Sequence, residues 1–305
     1  MMRLSACLAL AAVLTAAGQQ RFRTSVEAVR VDALVTDGNR PVTGLTAEDF
    51  DLRDAGVGQT VDSITLADVP ISMMLALDTS ASVAGGTLEQ LRAGVSSALA
   101  MLAPQDRAAL ITFSSDLRVA HDWSGDIQSV TRAIGNVRGA GGTALWDATY
   151  AALTMRDTSP TVRRLILVFS DGDDTGSWLT RQAVIEKARR TDAVLYGVSL
   201  RGIAPMNRGA TLMGRSGIEL SANEPPAWLE SRFLADVAEA TGGSEHIVGT
   251  SKGLRDTFEK IVKEFRTRYV LTYTPRGVET TGWHPLEVKL KTKRGTVHAR
   301  RGYSR

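Results

Sequence analysis

Carboxylate and hydroxyl side chains lie at short spacing in three places along the chain. Asp78, Ser80 and Ser82 occupy alternate positions, Thr143 follows two glycines, and Asp171 lies between a serine and a glycine. Two carboxylates and three hydroxyls form an oxygen-only ligand set of low charge, which suits Mg²⁺ or Mn²⁺. Such a set leaves some coordination positions to water or to a partner molecule, so the first expectation is a binding site.

Each of the three groups borders a segment with the pattern of a strand or a helix. Continuous apolar runs at 73–77 and 165–169 are typical of strands buried on both faces, and they end just before the two aspartates. Thr143 precedes a segment with helical spacing, 144–155. Because the carboxyl ends of parallel strands meet at one edge of a sheet, we expect the three groups to converge there.

The same rhythm of apolar runs and helical periods continues through residues 69–265. It predicts an α/β fold with a doubly wound, mostly parallel sheet and helices on both faces. Further strands are expected at 108–113, 194–200 and 245–248, and further helices at 88–102, 127–137, 183–190, 233–240 and 254–265. Residues 202–226 interrupt the rhythm and are interpreted as an inserted loop.

The two flanks, residues 19–68 and 266–305, show the alternation of β-strands. Val29, Val31 and Val35 alternate with polar residues in the first flank, as Leu286, Val288 and Leu290 do in the second. Each flank is too small to bury a core of its own. We therefore expect the flanks to form together a small β-sandwich-like domain into which the α/β domain is inserted.

The N-terminus resembles a signal peptide over residues 1–18. Arg3 precedes an apolar stretch at 4–14, and small residues follow it. The stretch is too short to span a bilayer, so the mature chain is expected to have no transmembrane helix. The sequence thus predicts an exported protein, either periplasmic or secreted.

The composition excludes several classes of protein. With 305 residues, 43% of them hydrophobic, and a single cysteine, the chain is neither disordered nor disulfide-stapled. Between Lys260 and Arg305, twelve Lys or Arg face three Glu, and such a basic tail could indicate a nucleic-acid surface. The alternation of apolar and charged residues there favours a half-buried strand instead, so no nucleic-acid partner is expected.

The three polar groups resemble the metal-ion-dependent adhesion site of the von Willebrand factor type A domain. The pattern Asp78-x-Ser80-x-Ser82, Thr143 in a Gly-Gly-Thr loop and Asp171 in a Ser-Asp-Gly loop occur in that family's order. The flanks are similar to secreted bacterial von Willebrand factor A-related proteins, many of them acidobacterial. This softer likeness rests on short patterns such as Val42-x-Gly44-Leu45 and Arg301-Gly302-Tyr303.

The resemblance implies a role for each matched residue. Asp78, Ser80, Ser82, Thr143 and Asp171 would hold Mg²⁺ or Mn²⁺, directly or through water. An Asp or Glu carboxylate from a protein partner would complete the coordination, and Gly142, Trp146 and Trp178 are candidates for contact with that partner. The function implied is non-enzymatic binding.

Other interpretations of the same residues remain open. Asp78 and Ser82 could cap a helix, and the glycines and Asp171 could form turns, which leaves a structural module without metal. Asp78 at the end of a strand could also be the nucleophile of a Mg²⁺-dependent phosphoryl-transfer enzyme, although Ser80 replaces the second acid that such enzymes use.

A hydrolase is a further alternative, because residues 249–253 match the pattern of a nucleophile elbow around Ser251. Asp256 and either His284 or His298 follow in the order of a catalytic triad. The elbow would come after the last strand of the domain, however, and Ser251 as a helix N-cap explains the same residues.

Overall fold

The computed structural model describes residues 28–38, 40–66, 69–83, 85–159, 162–171, 174–200, 232–292 and 294–305. The predicted signal peptide and the predicted inserted loop lie outside them. In chain order the strands are β1 (Val29–Asp37), β2 (Arg40–Pro41), β3 (Phe50–Asp54), β4 (Val57–Gln59), β5 (Ser63–Leu66), β6 (Ile71–Asp78), β7 (Arg107–Phe113), β8 (Leu117–Ser124), β9 (Arg163–Ser170), β10 (Val194–Ser199), β11 (Glu245–Ile247), β12 (Tyr269–Tyr273), β13 (Trp283–Leu290), β14 (Thr296–His298) and β15 (Gly302–Ser304). The helices are α1 (Gly86–Leu99), α2 (Ile127–Gly135), α3 (Leu145–Thr154), α4 (Arg181–Arg189), α5 (Phe233–Thr241) and α6 (Ser251–Arg266).

The central sheet has six strands in the order β11-β10-β9-β6-β7-β8. All neighbours pair in parallel except β8, which runs antiparallel to β7. Strands β6 and β9 are fully buried because apolar side chains cover both faces. One face packs against α1, α2 and α6 and the other against α3, α4 and α5. The predicted fold class is confirmed.

The order of the strands reverses between β6 and β9. The chain leaves β6 towards β7 and β8, then returns to place β9 on the other side of β6. Loops that follow the two strands at such a point separate and leave a crevice at their carboxyl ends. Two of the three predicted polar groups follow β6 and β9, so the fold brings them to this crevice.

The flanks form two antiparallel sheets around a common core. In one sheet β12 lies between β1 and β5, and in the other β13 lies between β3 and β15. Their shared core includes Phe50, Leu52 and Leu271. Strands from both ends of the chain therefore pair with each other, as expected of a β-sandwich-like unit. The exact domain boundaries stay a prediction.

A buried polar cluster lies inside this β-sandwich-like unit. The carboxylate of Asp54, fully buried, accepts hydrogen bonds from the hydroxyls of Tyr273 at 2.8 Å and Tyr303 at 2.7 Å. The Nδ1 atom of His284 lies 3.0 Å from the other carboxylate oxygen, and its ring stacks on Tyr303. Burial and the hydrogen bond to Asp54 raise the pKa of Tyr303 to about 12. The cluster therefore holds the C-terminal strand β15 to β3 and β13.

Buried arginines join the two units. Arg163, at the start of β9, donates to the Asp32 carboxylate of β1 at 2.9 Å, and its guanidinium stacks on Phe265. Arg268 donates to the carbonyls of Asp32, Gly242 and His298. These hydrogen bonds satisfy backbone groups from both units, and they therefore fix the geometry of the junction between the units.

Strand β8 is an element that the sequence interpretation missed. Leu117, Val119 and Trp123 alternate with Arg118 and Asp122, but all of its side chains are exposed or half-buried, so it has no buried apolar run. In the part of the chain that the structure describes, no helix is long and apolar enough to cross a membrane.

Candidate metal centre

Asp78 is the last residue of β6, and its side chain is fully buried at the crevice. One carboxylate oxygen accepts a hydrogen bond from the backbone N–H of Ser80 at 2.8 Å, and the other accepts one from the Ser170 hydroxyl at 2.7 Å. Burial raises the pKa of Asp78 to about 6, although both hydrogen bonds act in the opposite direction. A buried carboxylate of this kind gains stability from any bound cation.

Ser80 and Ser82 lie directly beyond Asp78 in a short turn. The hydroxyl oxygens of the two serines are 2.9 Å apart. Ser80 is buried and Ser82 is exposed, so the pair leads from the buried carboxylate to the surface. The backbone bond between Val83 N–H and Ser80 carbonyl, 3.1 Å long, fixes the turn.

The glycine loop is bonded to this turn by backbone groups. Ala81 N–H donates to the Gly141 carbonyl at 3.0 Å, and Ala140 N–H donates to the Thr79 carbonyl at 2.8 Å. Gly141 has a φ of +87°, and a Cβ atom there would lie 2.8 Å from the Ser115 hydroxyl. The φ of Gly141 and its close approach to Ser115, which lies between β7 and β8, therefore both favour glycine at this position.

Thr143 is buried and is held by the loop that follows β9. Its N–H donates to the Thr175 hydroxyl and its carbonyl accepts from Thr175 N–H, both at 2.8 Å. Asp147, in the first turn of α3, accepts hydrogen bonds from the backbone N–H groups of Trp178 and Leu179. Asp147 thus acts through the neighbouring loop, which in turn fixes Thr143.

Asp171 follows Ser170 at the carboxyl end of β9. Its Oδ1 atom is buried and has no hydrogen-bond partner among the described residues. The negative charge of Asp171 contributes to the raised pKa of Asp78, so the two carboxylates are near each other. A buried carboxylate oxygen without a partner carries a desolvation cost that a cation removes.

These residues fit a hard divalent cation. The structure brings the two loops that carry Asp78, Ser80, Ser82 and Thr143 together by hydrogen bonds, with Asp171 beside Asp78. Among the described residues no cluster of three His, Cys, Asp or Glu side chains could hold a metal. A cation at this point would depend on serine and threonine hydroxyls, as Mg²⁺ does when few carboxylates are present.

The three candidates for partner contact have different environments. Trp178 is 95% exposed, whereas Trp146 is half-buried and packs against Phe233 with ring centroids 6.1 Å apart. The Gly142 N–H donates to the Ser115 hydroxyl at 2.8 Å. Among these three residues, Trp178 thus offers the most accessible apolar surface at the site.

Asp174, in the loop that follows β9, bonds to the start of α3. It accepts hydrogen bonds from Ser177 and from the backbone N–H of Trp146, at the start of α3. This position satisfies an N–H group of the first turn of the helix, as a capping carboxylate does.

The histidines of the hydrolase alternative lie in the β-sandwich-like unit and contact other residues. Thr250, and not Ser251, is the N-cap of α6, because its hydroxyl accepts from Gly253 N–H at 3.1 Å. His284 is bonded to Asp54 in the β-sandwich-like unit, and His298 lies 3.5 Å from the Thr36 hydroxyl. Both histidines therefore have partners other than Asp256.

Sequence reasoning missed the residues that support the candidate ligands. Ser170, Thr175 and Ser115 each bond to a group of the site, but isolated hydroxyls in loops carry no spacing signal. The position of Ser170 at the end of an apolar run, next to Asp171, is the one clue the sequence contains.

Comparisons with known proteins identify the fold of the α/β unit. Residues 73–173 match the family model of the von Willebrand factor type A domain. A solved structure described as von Willebrand factor type A from Catenulispora acidiphila has a TM-score of 0.52 at 12% identity, covering 86% of this chain and 74% of that one. The α/β unit therefore has the von Willebrand factor type A fold.

Two further solved structures are similar at lower scores. The aerotolerance-related membrane protein from Bacteroides fragilis is 18% identical, with 64% of this chain and 98% of that chain covered and a TM-score of 0.49. The PilB minor pilin from Streptococcus sanguinis is 12% identical, with 65% and 62% covered and a TM-score of 0.47. No curated protein matches the chain.

Proposed function

We propose that this protein is an exported, non-enzymatic binding protein that captures a carboxylate of a protein partner through a bound Mg²⁺ or Mn²⁺. The ion would be held by Asp78, Ser80, Ser82, Thr143 and Asp171. Trp178, Trp146 and Gly142 would lie at the edge of the contact with the partner. The Catenulispora structure supports the fold on which the proposal rests.

The observation that carries the proposal is the state of the two carboxylates. Asp78 is fully buried with a raised pKa, and Asp171 has a buried oxygen without a partner among the described residues. Both features cost free energy in the metal-free protein, and a divalent cation would offset both. Helix caps or turns alone do not explain why two such groups lie side by side.

The low charge of the ligand set explains why a partner carboxylate is the expected ligand. The two carboxylates balance a divalent ion only in formal charge, because the hydroxyl ligands add no negative charge. A carboxylate from outside would then make a strong, charge-assisted contact in place of water. None of these residues is placed as a nucleophile with its own base, which supports a binding role over an enzymatic one.

Metal titration of the purified protein tests the proposal. After EDTA treatment and dialysis, the midpoint of thermal unfolding is followed against Mg²⁺ and Mn²⁺ for wild type, Asp78→Ala and Asp171→Ala. Asp62→Ala, an exposed aspartate of the β-sandwich-like unit, is the matched control. At one hundred times the dissociation constant, a single site stabilises by about 2.7 kcal/mol.

We expect the midpoint to rise in wild type and Asp62→Ala and to stay constant in the two site variants. Isothermal titration with Mn²⁺ provides a second readout that does not depend on stability. Equal binding of Mn²⁺ by wild type and Asp171→Ala would contradict the proposed site.

A further inference from the structure

An exposed tryptophan lies on the segment that precedes α4, residues 174–180, which we name the Trp178 loop. Trp178 is 95% exposed, more than any other large apolar side chain among the described residues. Single apolar side chains are common on protein surfaces and indicate nothing by themselves. What distinguishes Trp178 is the backbone that carries it.

Five consecutive backbone N–H groups of the Trp178 loop, those of residues 175–179, all donate hydrogen bonds. The first two donate to the Thr143 carbonyl at 2.8 and 3.1 Å, and the third donates to the Asp174 carboxylate at 3.2 Å. The last two donate to separate oxygens of the Asp147 carboxylate at 3.0 and 2.9 Å. The loop is neither helix nor strand, yet these bonds fix its conformation.

The Trp178 loop and the first turn of α3 are bonded in both directions. Asp147 on α3 accepts from the loop, and the Ser177 hydroxyl in the loop accepts from the N–H groups of Trp146 and Asp147 at 3.0 and 3.1 Å. Thr143, a candidate ligand, lies four residues before Asp147 and accepts from the same loop. The Trp178 loop therefore borders the candidate metal centre.

A tryptophan on a fixed backbone is prepared for binding. Its indole ring offers a large apolar surface and has only two rotatable side-chain bonds, so little conformational entropy is lost when a partner covers it. Tryptophans contribute a large share of the binding free energy in many protein interfaces. Because the Trp178 loop borders the metal centre, a partner bound there can cover the ring.

We propose that Trp178 selects partners that carry an apolar side chain close to the captured carboxylate, and that Asp147 is the residue that positions Trp178. An extended chain advances about 3.3 Å per residue, so the apolar residue is expected within about three residues of the acidic one. This inference rests on the proposed function and adds to it the chemistry of the partner beside its carboxylate.

Selected peptides serve as ligands for the test. Random octapeptides displayed on phage are selected against the purified protein in Mg²⁺ and eluted with EDTA, which recovers metal-dependent binders. The enriched sequences are synthesised with a fluorescent label, and anisotropy gives their affinity for wild type, Trp178→Ala, Asp147→Ala and the double variant. The Mg²⁺ concentration is set from a titration of each variant, so that every protein is saturated with metal.

Two substitutions are matched controls. Ile247→Ala removes another exposed apolar side chain, which is 64% exposed at the edge of the central sheet. Asp126→Ala removes a carboxylate that also accepts a backbone N–H at the start of a helix, but of α2 on the opposite face of the sheet. Both variants should bind the peptides within about twofold of wild type.

We expect the enriched peptides to carry an apolar residue within about three positions of an acidic one. Trp178→Ala should weaken binding at least about tenfold, and Asp147→Ala at least about fivefold. The double variant should bind as Trp178→Ala does, because Asp147 acts on the peptide through a ring that is then absent. If Asp147 had a purely structural role, its loss would add to that of Trp178→Ala.

Asp147→Asn is a milder variant for the same test. The amide keeps one acceptor oxygen for the two N–H groups of the loop, so it disturbs the fold less than Asp147→Ala. Its affinity for the peptides should lie between those of wild type and Asp147→Ala. Thermal unfolding confirms that each variant folds, and Asp147→Asn takes the place of Asp147→Ala if the latter does not.

Fluorescence reports on Trp178 directly. The difference in emission between wild type and Trp178→Phe isolates the signal of this ring. A saturating peptide should shift that signal to shorter wavelength and reduce its quenching by acrylamide, because the indole is then covered.

Three results would overturn the inference while the metal centre remains supported. Peptides that need Mg²⁺ but bind Trp178→Ala as tightly as wild type would place the contact elsewhere. Additive losses in the double variant would refute the positioning role of Asp147. Absence of enriched peptides, with the Mg²⁺ effect on unfolding intact, would contradict the inference alone, whereas loss of that effect would contradict the proposed function.

Discussion

The Ser170 hydroxyl donates a 2.7 Å hydrogen bond to the carboxylate of Asp78, across two adjacent parallel strands. Both residues are the last of their strands, and both are fully buried. The bond therefore joins the carboxyl ends of β6 and β9 at the point where the strand order reverses. Together with the hydrogen bond from Ser80 N–H to the other carboxylate oxygen, it fixes the orientation of Asp78.

Asp78→Asn should stabilise the metal-free protein while removing its response to Mg²⁺. The folded-state pKa of about 6 lies above the ordinary value of 3.8, so ionised Asp78 is destabilising. The free-energy cost of ionising Asp78 in the folded protein grows as the pH rises from about 4 to 6. Above pH 6 it reaches its full value, on the order of 3 kcal/mol. Urea unfolding of wild type and Asp78→Asn in EDTA, at pH 7.5 and at pH 4.5, measures this cost.

The gain from Asp78→Asn should be large at pH 7.5 and much smaller at pH 4.5. Asp62→Asn, at an exposed position, should change the free energy of unfolding little at either pH. An equal gain at both pH values would show that the charge of Asp78 is not the cause.

Asp32→Ala should be strongly destabilising because it leaves a buried cation unpaired. The Arg163 side chain is 1% exposed and that of Asp32 is 11% exposed. Loss of one partner of such a pair costs about 3–5 kcal/mol. Asp51→Ala breaks the exposed pair with Arg53 and should cost at most about 1 kcal/mol. Denaturant unfolding gives the loss in the free energy of unfolding for both variants. Similar losses would refute the conclusion that the buried pair of Asp32 and Arg163 stabilises the junction.

Tyr303→Phe should destabilise the β-sandwich-like unit by about 1–3 kcal/mol. The substitution removes a hydroxyl that donates to the fully buried Asp54 carboxylate, which then lacks one of its donors. Tyr150→Phe is the control, because that ring is half-buried on α3 beneath Lys187. If the two variants unfold at the same urea concentration, the Asp54 cluster contributes nothing measurable.

Gly141→Ala should weaken Mn²⁺ binding more than it lowers stability. The φ of +87° disfavours alanine, and the new Cβ would press on the Ser115 hydroxyl. The loop or Ser115 must then shift, which disturbs the hydrogen bond between the Gly141 carbonyl and Ala81 in the turn that holds Ser80 and Ser82. Gly135→Ala, where a Cβ meets open space at the end of α2, is the control. Isothermal titration measures the Mn²⁺ affinity of both variants. An unchanged Mn²⁺ affinity in Gly141→Ala would exclude the glycine loop from the metal site.

The sequence predicted those parts of the fold that depend on residues close together in the chain. The five-residue apolar runs within β6 and β9 are typical of strands that are covered on both faces. The candidate ligands other than Thr143 could be predicted because they follow these runs within a few residues. The convergence of three loops then follows from the parallel sheet.

The remaining features depend on pairs that are distant in sequence. Asp32 and Arg163 are separated by 131 residues, and Asp54 and Tyr303 by 249. No periodicity links such residues, so their buried bonds could not be predicted. Strand β8 was missed for a different reason: as an edge strand it buries little, and its alternation of Leu117, Val119 and Trp123 with polar residues is short and interrupted by His121.

The pairing of β5 with β12 determines how a mechanical load would pass through the molecule. The chain enters the α/β unit after Leu66 and leaves it before Tyr269, and these two residues are partners in adjacent antiparallel strands. Tension on a captured partner would thus draw both strands lengthwise in the same direction. The load would be resisted by shear against β1, in which several backbone hydrogen bonds must break together.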